Sequence, residues 1–204
     1  MSSWGERVKL TIFGESHGPM IGMVLEGLPA GETIDLEAVK KQMARRAPGN
    51  DPPATARKES DTPIIVSGIC SQVTTGAPLC AVIENSNQHS GDYESLKNIP
   101  RPGHADYAAF LRYHGFSDLR GGGHFSGRLT APLVLAGAIC RQILERRGIV
   151  IGAHAYAIHD IFDTPFDSVN INTETLSALN TVFFSVIDSK VQEKMRQEIE
   201  TARL

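Results

Sequence analysis

The stretch VKLTIFGESHGPMIGMVLEG, Val8 to Gly27, decides how this chain is to be read. Its centre, Gly14-Glu15-Ser16-His17-Gly18, fits the G-x-S-x-G pattern of a hydrolase nucleophile elbow. An elbow needs a strand before the serine and a helix after it, because the helix amides help to bind an oxyanion. Here Val8–Phe13 and Met20–Gly27 are both short β-rich runs, and Pro19 follows the motif directly. The prediction is strand, turn, strand, with Ser16 and His17 in the connection. A serine hydrolase using Ser16 is the alternative that this pattern disfavours. The plain structural alternative is a hairpin turn with Ser16 bonded to local backbone.

Working outward, 204 residues allow one large domain or two small ones. A formal charge of −3, with no basic block, gives no electrostatic case for nucleic acid or a membrane surface. The start has charges at Glu6, Arg7 and Lys9 and no apolar core, so it is not a secretory signal. No apolar run approaches the roughly 20 residues that span a bilayer. Cys70, Cys80 and Cys140 lack metal-type spacing and read as reduced, mostly buried thiols of a cytoplasmic protein.

Asp35 is placed to cap a helix to about Arg46, with Leu36, Val39 and Met43 on one face and Pro48-Gly49 as its stop. Asn50–Asp61 is a polar loop, and PIIVSGIC and APLCAVIEN are strand candidates separated by Thr74–Gly76. Ser86–Asp106 is a long aperiodic loop, and a helical stretch follows from Ala105. Ala131 to about Arg147 is the clearest helix, apolar or small on every face in its first half and therefore buried on several sides. Ile149–His159 reads as a strand. The last helix aligns Val191, Met195 and Ile199, with Ser189 and Gln192 as a capping box. It reaches Leu204 without a stop signal, which reads as a truncation.

The chemistry-bearing residues fall in turns, where scaffolds present functional groups. In Arg101-Pro102-Gly103-His104-Ala105-Asp106 a rigid turn displays a histidine and an arginine whose planar fork suits phosphate or carboxylate. Alternatively, Asp106 caps the next helix and His104 is a surface residue. Gly121–Arg128, GGGHFSGR, allows close backbone approach ahead of a helix, a setting that favours anions. It is neither a Walker loop nor a dinucleotide fingerprint, and a flexible loop is its bland alternative. Arg45 and Arg46 suit a helix carboxyl end. Arg57, Lys58 and Glu59 read as a solvated run, and His89, His114, His154 and His159 show no pattern. Together, cations, titratable histidines and mobile backbone suit a small polyanionic ligand, with histidine as proton carrier.

GESHG, PAG, RRAPG, RKESD, TTGAP, RPGHADY and RGGGHFSGR, in this order, resemble the chorismate synthase family from about Lys9 onward. GGGHFSGR stands where GGGRSSAR is common. The resemblance implies an α+β fold, a layered β-α-β sandwich with helices packed between antiparallel sheets, assembled as a homotetramer when complete. It implies 1,4-anti elimination of phosphate from 5-enolpyruvylshikimate 3-phosphate to give chorismate, with reduced FMN, in the cytoplasm. The chain is then a single domain over 1–204, the amino-terminal portion of the family domain and incomplete at its carboxyl end, since the likeness stops before the usual GDSVGG stretch. The alternative is a catalytically incompetent fragment that retains at most anion binding.

By position, the resemblance implies His17 as acid at the leaving phosphate and His104 as the histidine beside the flavin. Ser16, Arg46, Arg101, Ser126 and Arg128 match substrate-binding positions, and His124, Phe125 and Ser126 match the flavin-contacting loop. Arg46 is also the position tied to NADPH in members that reduce their own flavin. The second arginine of that site is replaced here by Asn50-Asp51-Pro52-Pro53. No metal is implied.

Overall fold

The structure, a computed structural model, describes residues 2–47, 60–86, 99–118 and 120–203. Their contacts divide them into two compact units, one up to Ile143 and one from Leu144 onward. In the first unit the strand–turn–strand reading holds. β1 (Ser3–Trp4), β2 (Lys9–Gly14) and β3 (Met20–Glu26) are followed by β4 (Pro63–Ser67), β5 (Ile69–Cys70), β6 (Val73–Thr74) and β7 (Leu79–Glu84). Five of these form one antiparallel sheet in the order β1-β2-β3-β7-β4. PIIVSGIC is thus two strands, broken at Gly68, and its second part pairs with β6.

Alternation sets the register. Ile21, Met23 and Leu25 of β3 lie opposite Ile83, Ala81 and Leu79 of β7, and all six are buried on one face. A one-residue slip would expose the whole set, so this pairing is strongly specified. Each large side chain buried here contributes about 1.5–3 kcal/mol. Helices α1 (Leu36–Arg46) and α3 (Thr130–Glu145) cover that face with Val39, Met43, Leu135, Ile139 and Ile143. Asp35 caps α1 as expected, accepting from the Glu37 and Ala38 amides at 2.9 and 3.1 Å. α3 buries residues on several faces, as its composition predicts. Its predicted stop at Arg147 comes two residues early, while the Pro48-Gly49 stop lies outside the described residues.

The second unit holds β8 (Ala157–Ile158), β9 (Ile161–Phe162), α4 (Thr173–Leu179) and α5 (Ser189–Arg203). The expected strand over Ile149–His159 is reduced to β8. Gly152 packs against the backbone of Leu176, and Ala155 donates to the Ser185 carbonyl, so this backbone is satisfied without a ladder. The Ser189–Gln192 box also gives way: Asp188 accepts from the Lys190 amide at 2.9 Å and caps α5. Met195 is buried and Val191 and Ile199 half-buried, as aligned in sequence.

Asp163 organises this unit. Its carboxylate accepts from the amides of Ile187, Asp188 and Thr164 at 2.6, 2.8 and 2.8 Å, and from His154 Nδ1 at 2.7 Å. Burial alone would raise its pKa, but the amides of Asp188 and Ile187 and the His154 ring lower it on balance. A depressed carboxyl stabilises the fold above its unfolded pKa, and the effect is lost as pH falls through the folded value. Asp163→Ala, losing charge-assisted bonds of which each is worth about 1.5–3 kcal/mol, is expected to abolish amide-exchange protection over 154–188. Unchanged protection would refute this role.

The fold is α+β, with antiparallel sheets and packed helices. Among the described residues no helix is long and apolar enough to cross a membrane. The cysteines depart from expectation: Cys70 is exposed, and Cys80 and Cys140 are only half-buried.

Candidate active site

The Gly14–Gly18 turn leaves β2 and is covered by the glycine-rich segment, which is kinked over Arg120–Phe125 and makes a 3-10 turn over Gly127–Leu129 leading into α3. Ser16 is fully buried and His17 is 7% exposed. Ser16 reaches beyond its own turn: its amide donates to the Gly123 carbonyl at 3.1 Å, and its hydroxyl to the Arg120 carbonyl at 3.2 Å. Gly121, Gly122 and Gly123 all have positive φ, at 63°, 107° and 55°. A Cβ on Gly121 would overlap the His17 ring, so glycine is required there for contact as well as conformation.

The Ser16 hydroxyl has one hydrogen, which goes to Arg120. The 3.1 Å contact between Ser16 Oγ and His17 Nδ1 then runs from the ring to the hydroxyl. The tautomer is assigned from this pattern, and it leaves Nε2 as the nitrogen that exchanges a proton. A serine nucleophile must donate to its histidine. The bond runs the other way, and a strand follows the turn, which excludes an elbow.

The arginines are held by acids. Arg128, 5% exposed, and Arg46 both bind Asp61, which is 1% exposed: Arg46 Nη1 donates to Oδ2 at 2.7 Å, and Arg128 Nη1 to Oδ1. Arg46 Nη2 also reaches the Gly127 carbonyl and Thr130 Oγ1, each at 3.2 Å. Arg128 Nε donates to Asn85 Oδ1 at 3.0 Å, and Asn85 Nδ2 donates to the carbonyls of Glu15 and Gly18 at 3.0 and 2.8 Å. This chain of bonds ties α1, the end of β7 and the entry to α3 to the turn carrying His17. Two guanidiniums share one carboxylate, so these three residues carry a net positive charge.

Arg101 lies in its own cluster. It grips Asp106 through Nε at 2.8 Å, Nη2 at 2.9 Å and its amide at 3.0 Å. Hydrogen bonding to Arg101 holds the Asp106 carboxyl at about 2. Asp106 begins α2 (Asp106–Arg112) without capping it, because its carboxylate is turned to Arg101. His104 is exposed on the clamped turn. Ser126 caps the Gly127–Leu129 3-10 turn, accepting from the Arg128 amide at 3.2 Å.

Beside the turn lies a cavity of about 630 Å³. Phe13, Tyr113, Phe116 and Phe125 give it aromatic walls, and Glu15, Ser117, Asp118 and His124 give polar ones. Glu15 and Gly18 face it while Ser16 and His17 turn inward. His124 Nδ1 donates to the Gly14 carbonyl at 2.9 Å, so in the neutral ring Nε2 accepts from Ser2 Oγ at 2.8 Å. Of the predicted flavin-contacting residues, His124 and Phe125 line this cavity, and Ser126 and Arg46 do not.

Sequence reasoning missed Asp61, Asn85, Glu15 and Asp118. Asp61 ends the RKESD motif, so a signal existed, but a polar loop conceals which acid is buried. Arg57, Lys58, Glu59 and His89 lie outside the described residues. His114 is exposed at positive φ, and exposed His159 pairs with Glu198 at 3.1 Å.

An antiparallel sheet backed by helices, with a buried Ser–His turn beneath a glycine arch and an aromatic cavity beside it, defines an α+β protein with an enzyme-like site. The chorismate synthase family model matches residues 8–204. The chain is 45% identical over 193 residues to a chorismate synthase of Lancefieldella parvula, covering 94% of this chain and 50% of that protein. It is 40% identical over 199 residues to one from Thermococcus kodakarensis, covering 98% and 54%. A crystal structure of chorismate synthase superposes with a TM-score of 0.63 at 22% identity, covering 97% of this chain and 54% of that one. This chain belongs to the chorismate synthase family. It spans about half the length of these relatives.

Proposed function

We propose that this chain carries the amino-terminal share of a chorismate synthase active site. The reaction is the 1,4-anti elimination of phosphate from 5-enolpyruvylshikimate 3-phosphate in aromatic amino acid biosynthesis. The observation that carries this reading is the glycine arch over Ser16 and His17, which withdraws an imidazole from water while its Nε2 keeps the proton-exchanging role. His17 acts as acid to the departing phosphate, and the Arg46–Asp61–Arg128 group supplies positive charge. Ser16 holds the ring orientation, and Arg101 fixes the turn that presents His104.

The cavity fits a reduced FMN: its walls are aromatic, its volume suits a planar ring system, and His124 offers a polar group beside them. When bound, the flavin would supply transient electron density that helps phosphate leave. His124 and Phe125 would hold it, with Ser126 shaping the loop behind them and His104 adjusting its protonation. An NADPH role for Arg46 is disfavoured by its engagement with Asp61. The family match runs across both compact units, which supports one domain. Exposed Tyr107, Phe110, Leu111 and Phe116 support assembly into a tetramer with the rest of the enzyme present.

Anaerobic titration of this chain with FMN, with and without the enolpyruvyl phosphate, tests the reading. Substrate-dependent tightening is expected. No binding of either would reduce the chain to an incompetent fragment. In a version extended to the relatives' length, His17→Ala should lower kcat by about 10²–10⁴ and substrate affinity far less. Equal losses in both would remove His17 as the acid.

A further inference from the structure

Ser16 and His17 are the central residues of a β-turn whose ends are Glu15 and Gly18, with the Gly18 amide donating to the Glu15 carbonyl at 3.0 Å. The carbonyls at both ends of this turn are also held by one distant side chain. Asn85, the residue that follows β7, donates from Nδ2 to the Glu15 and Gly18 carbonyls at 3.0 and 2.8 Å. That uses both hydrogens of its amide. Its backbone amide donates to the Pro19 carbonyl at 3.0 Å, so the exit of the turn is fixed as well.

The Asn85 side chain can face only one way. Its Oδ1 accepts from Arg128 Nε at 3.0 Å, and a flipped amide would set Nδ2 against that donor and Oδ1 against two carbonyls. Arg128 is fixed in turn by Asp61 and by the Glu84 carbonyl, to which Nη2 donates at 3.2 Å. Asn85, Ser16, His17 and Gly18 are all buried, so these bonds act in a low-dielectric setting. The sheet does not need them: Met20 and Glu84 are the end pair of the β3–β7 register, and Asn85 lies beyond it. The glycine arch grips Ser16 at the centre of the turn, whereas Asn85 grips the two ends.

We propose that Asn85 is a positioning residue of this site, which fixes both ends of the Glu15–Gly18 turn and thereby sets the direction of the His17 ring. The Glu15 carbonyl belongs to the peptide that enters Ser16, and the Gly18 carbonyl to the peptide that leaves for Pro19. Each peptide is a rigid plane, so rotation of either re-aims the residues between them. With both planes held, His17 Nδ1 stays on Ser16 Oγ and Nε2 keeps its place for proton exchange. The consequence for turnover rests on the reading of His17 as the acid, and the consequence for the ring does not.

Asn85→Asp is the deciding variant. It keeps the size of the side chain and an acceptor for Arg128, but sets an oxygen where Nδ2 donated to two carbonyls. Ile83→Val, which trims the buried face of the same strand, is the control for general loosening. Nitrogen-15 NMR of the histidine rings, with His17→Ala assigning the His17 signals by their loss, should show Nδ1 protonated in the neutral ring of wild type and of Ile83→Val. Asn85→Asp should show a mixture of tautomers. Wild-type His17 signals in folded Asn85→Asp, or the same mixture in Ile83→Val, would overturn the proposal. In wild type itself both Asn85 Nδ2 hydrogens should exchange slowly with solvent, and fast exchange overturns it however the variants fold. In the version extended to the relatives' length, Asn85→Asp should lower kcat about ten- to a hundredfold with KM little changed, and Ile83→Val should not. Normal turnover in Asn85→Asp beside its loss in His17→Ala refutes positioning for the reaction. Normal turnover in both refutes the acid reading instead, and the ring signals alone then decide the role of Asn85.

Discussion

Asp61→Asn is expected to destabilise the first unit by about 3–5 kcal/mol at neutral pH, because it removes the buried carboxylate that pairs with the buried Arg128 and the partly exposed Arg46. Asp61 sits at a φ of 48°, a conformation that asparagine tolerates as well as aspartate does. The substitution therefore removes charge without adding backbone strain. Stabilities of small domains are about 5–15 kcal/mol, so the loss is a large share of the total. Trp4 is the only tryptophan and lies in β1 of the same unit, so its fluorescence during urea unfolding reports the change. A loss below about 1 kcal/mol would mean that the arginines find other compensation, at the level of an exposed pair. Arg128→Met should cost more than Arg46→Met, since the side chains are 4% and 20% exposed.

Gly121→Ala should disable the site while leaving the sheet intact. The new methyl would meet His17 and stand 3.0 Å from Ser16 Oγ. Left-handed backbone adds about 1–2 kcal/mol for a non-glycine residue, and overpacking typically adds about 1–3 kcal/mol. The cheapest relief is displacement of the His17 ring, which breaks its bond to Ser16. The His17 ring nitrogen resonances should shift, and substrate-dependent FMN binding should weaken at least tenfold, about 1.4 kcal/mol. Gly127→Ala is the matched control, because nothing lies within 4 Å of its added Cβ. Equal behaviour of the two variants would show that the arch does not hold the histidine.

These two outcomes separate the roles of the polar groups. The Asp61 group joins elements and is read through stability. The glycine arch shapes one side chain and is read through ligand response. Both act on the same turn, since Asn85 links Arg128 to the carbonyls of Glu15 and Gly18.

The hairpin around GESHG, the Asp35-capped α1 and the many-sided burial of α3 were legible in sequence, because periodicity and capping act over two to four residues. The motifs likewise identified the family. The sequence could not show that Ser16 bonds Arg120 across 104 positions or that Asp61 is the acid shared by two arginines. Nor could it show that Ile149–Tyr156 finds no neighbouring strand among the described residues. A local pattern sets which face of an element is apolar. Which distant polar group completes a buried hydrogen bond depends on where the sheet and helices bring their loops, and that is decided only when the core closes.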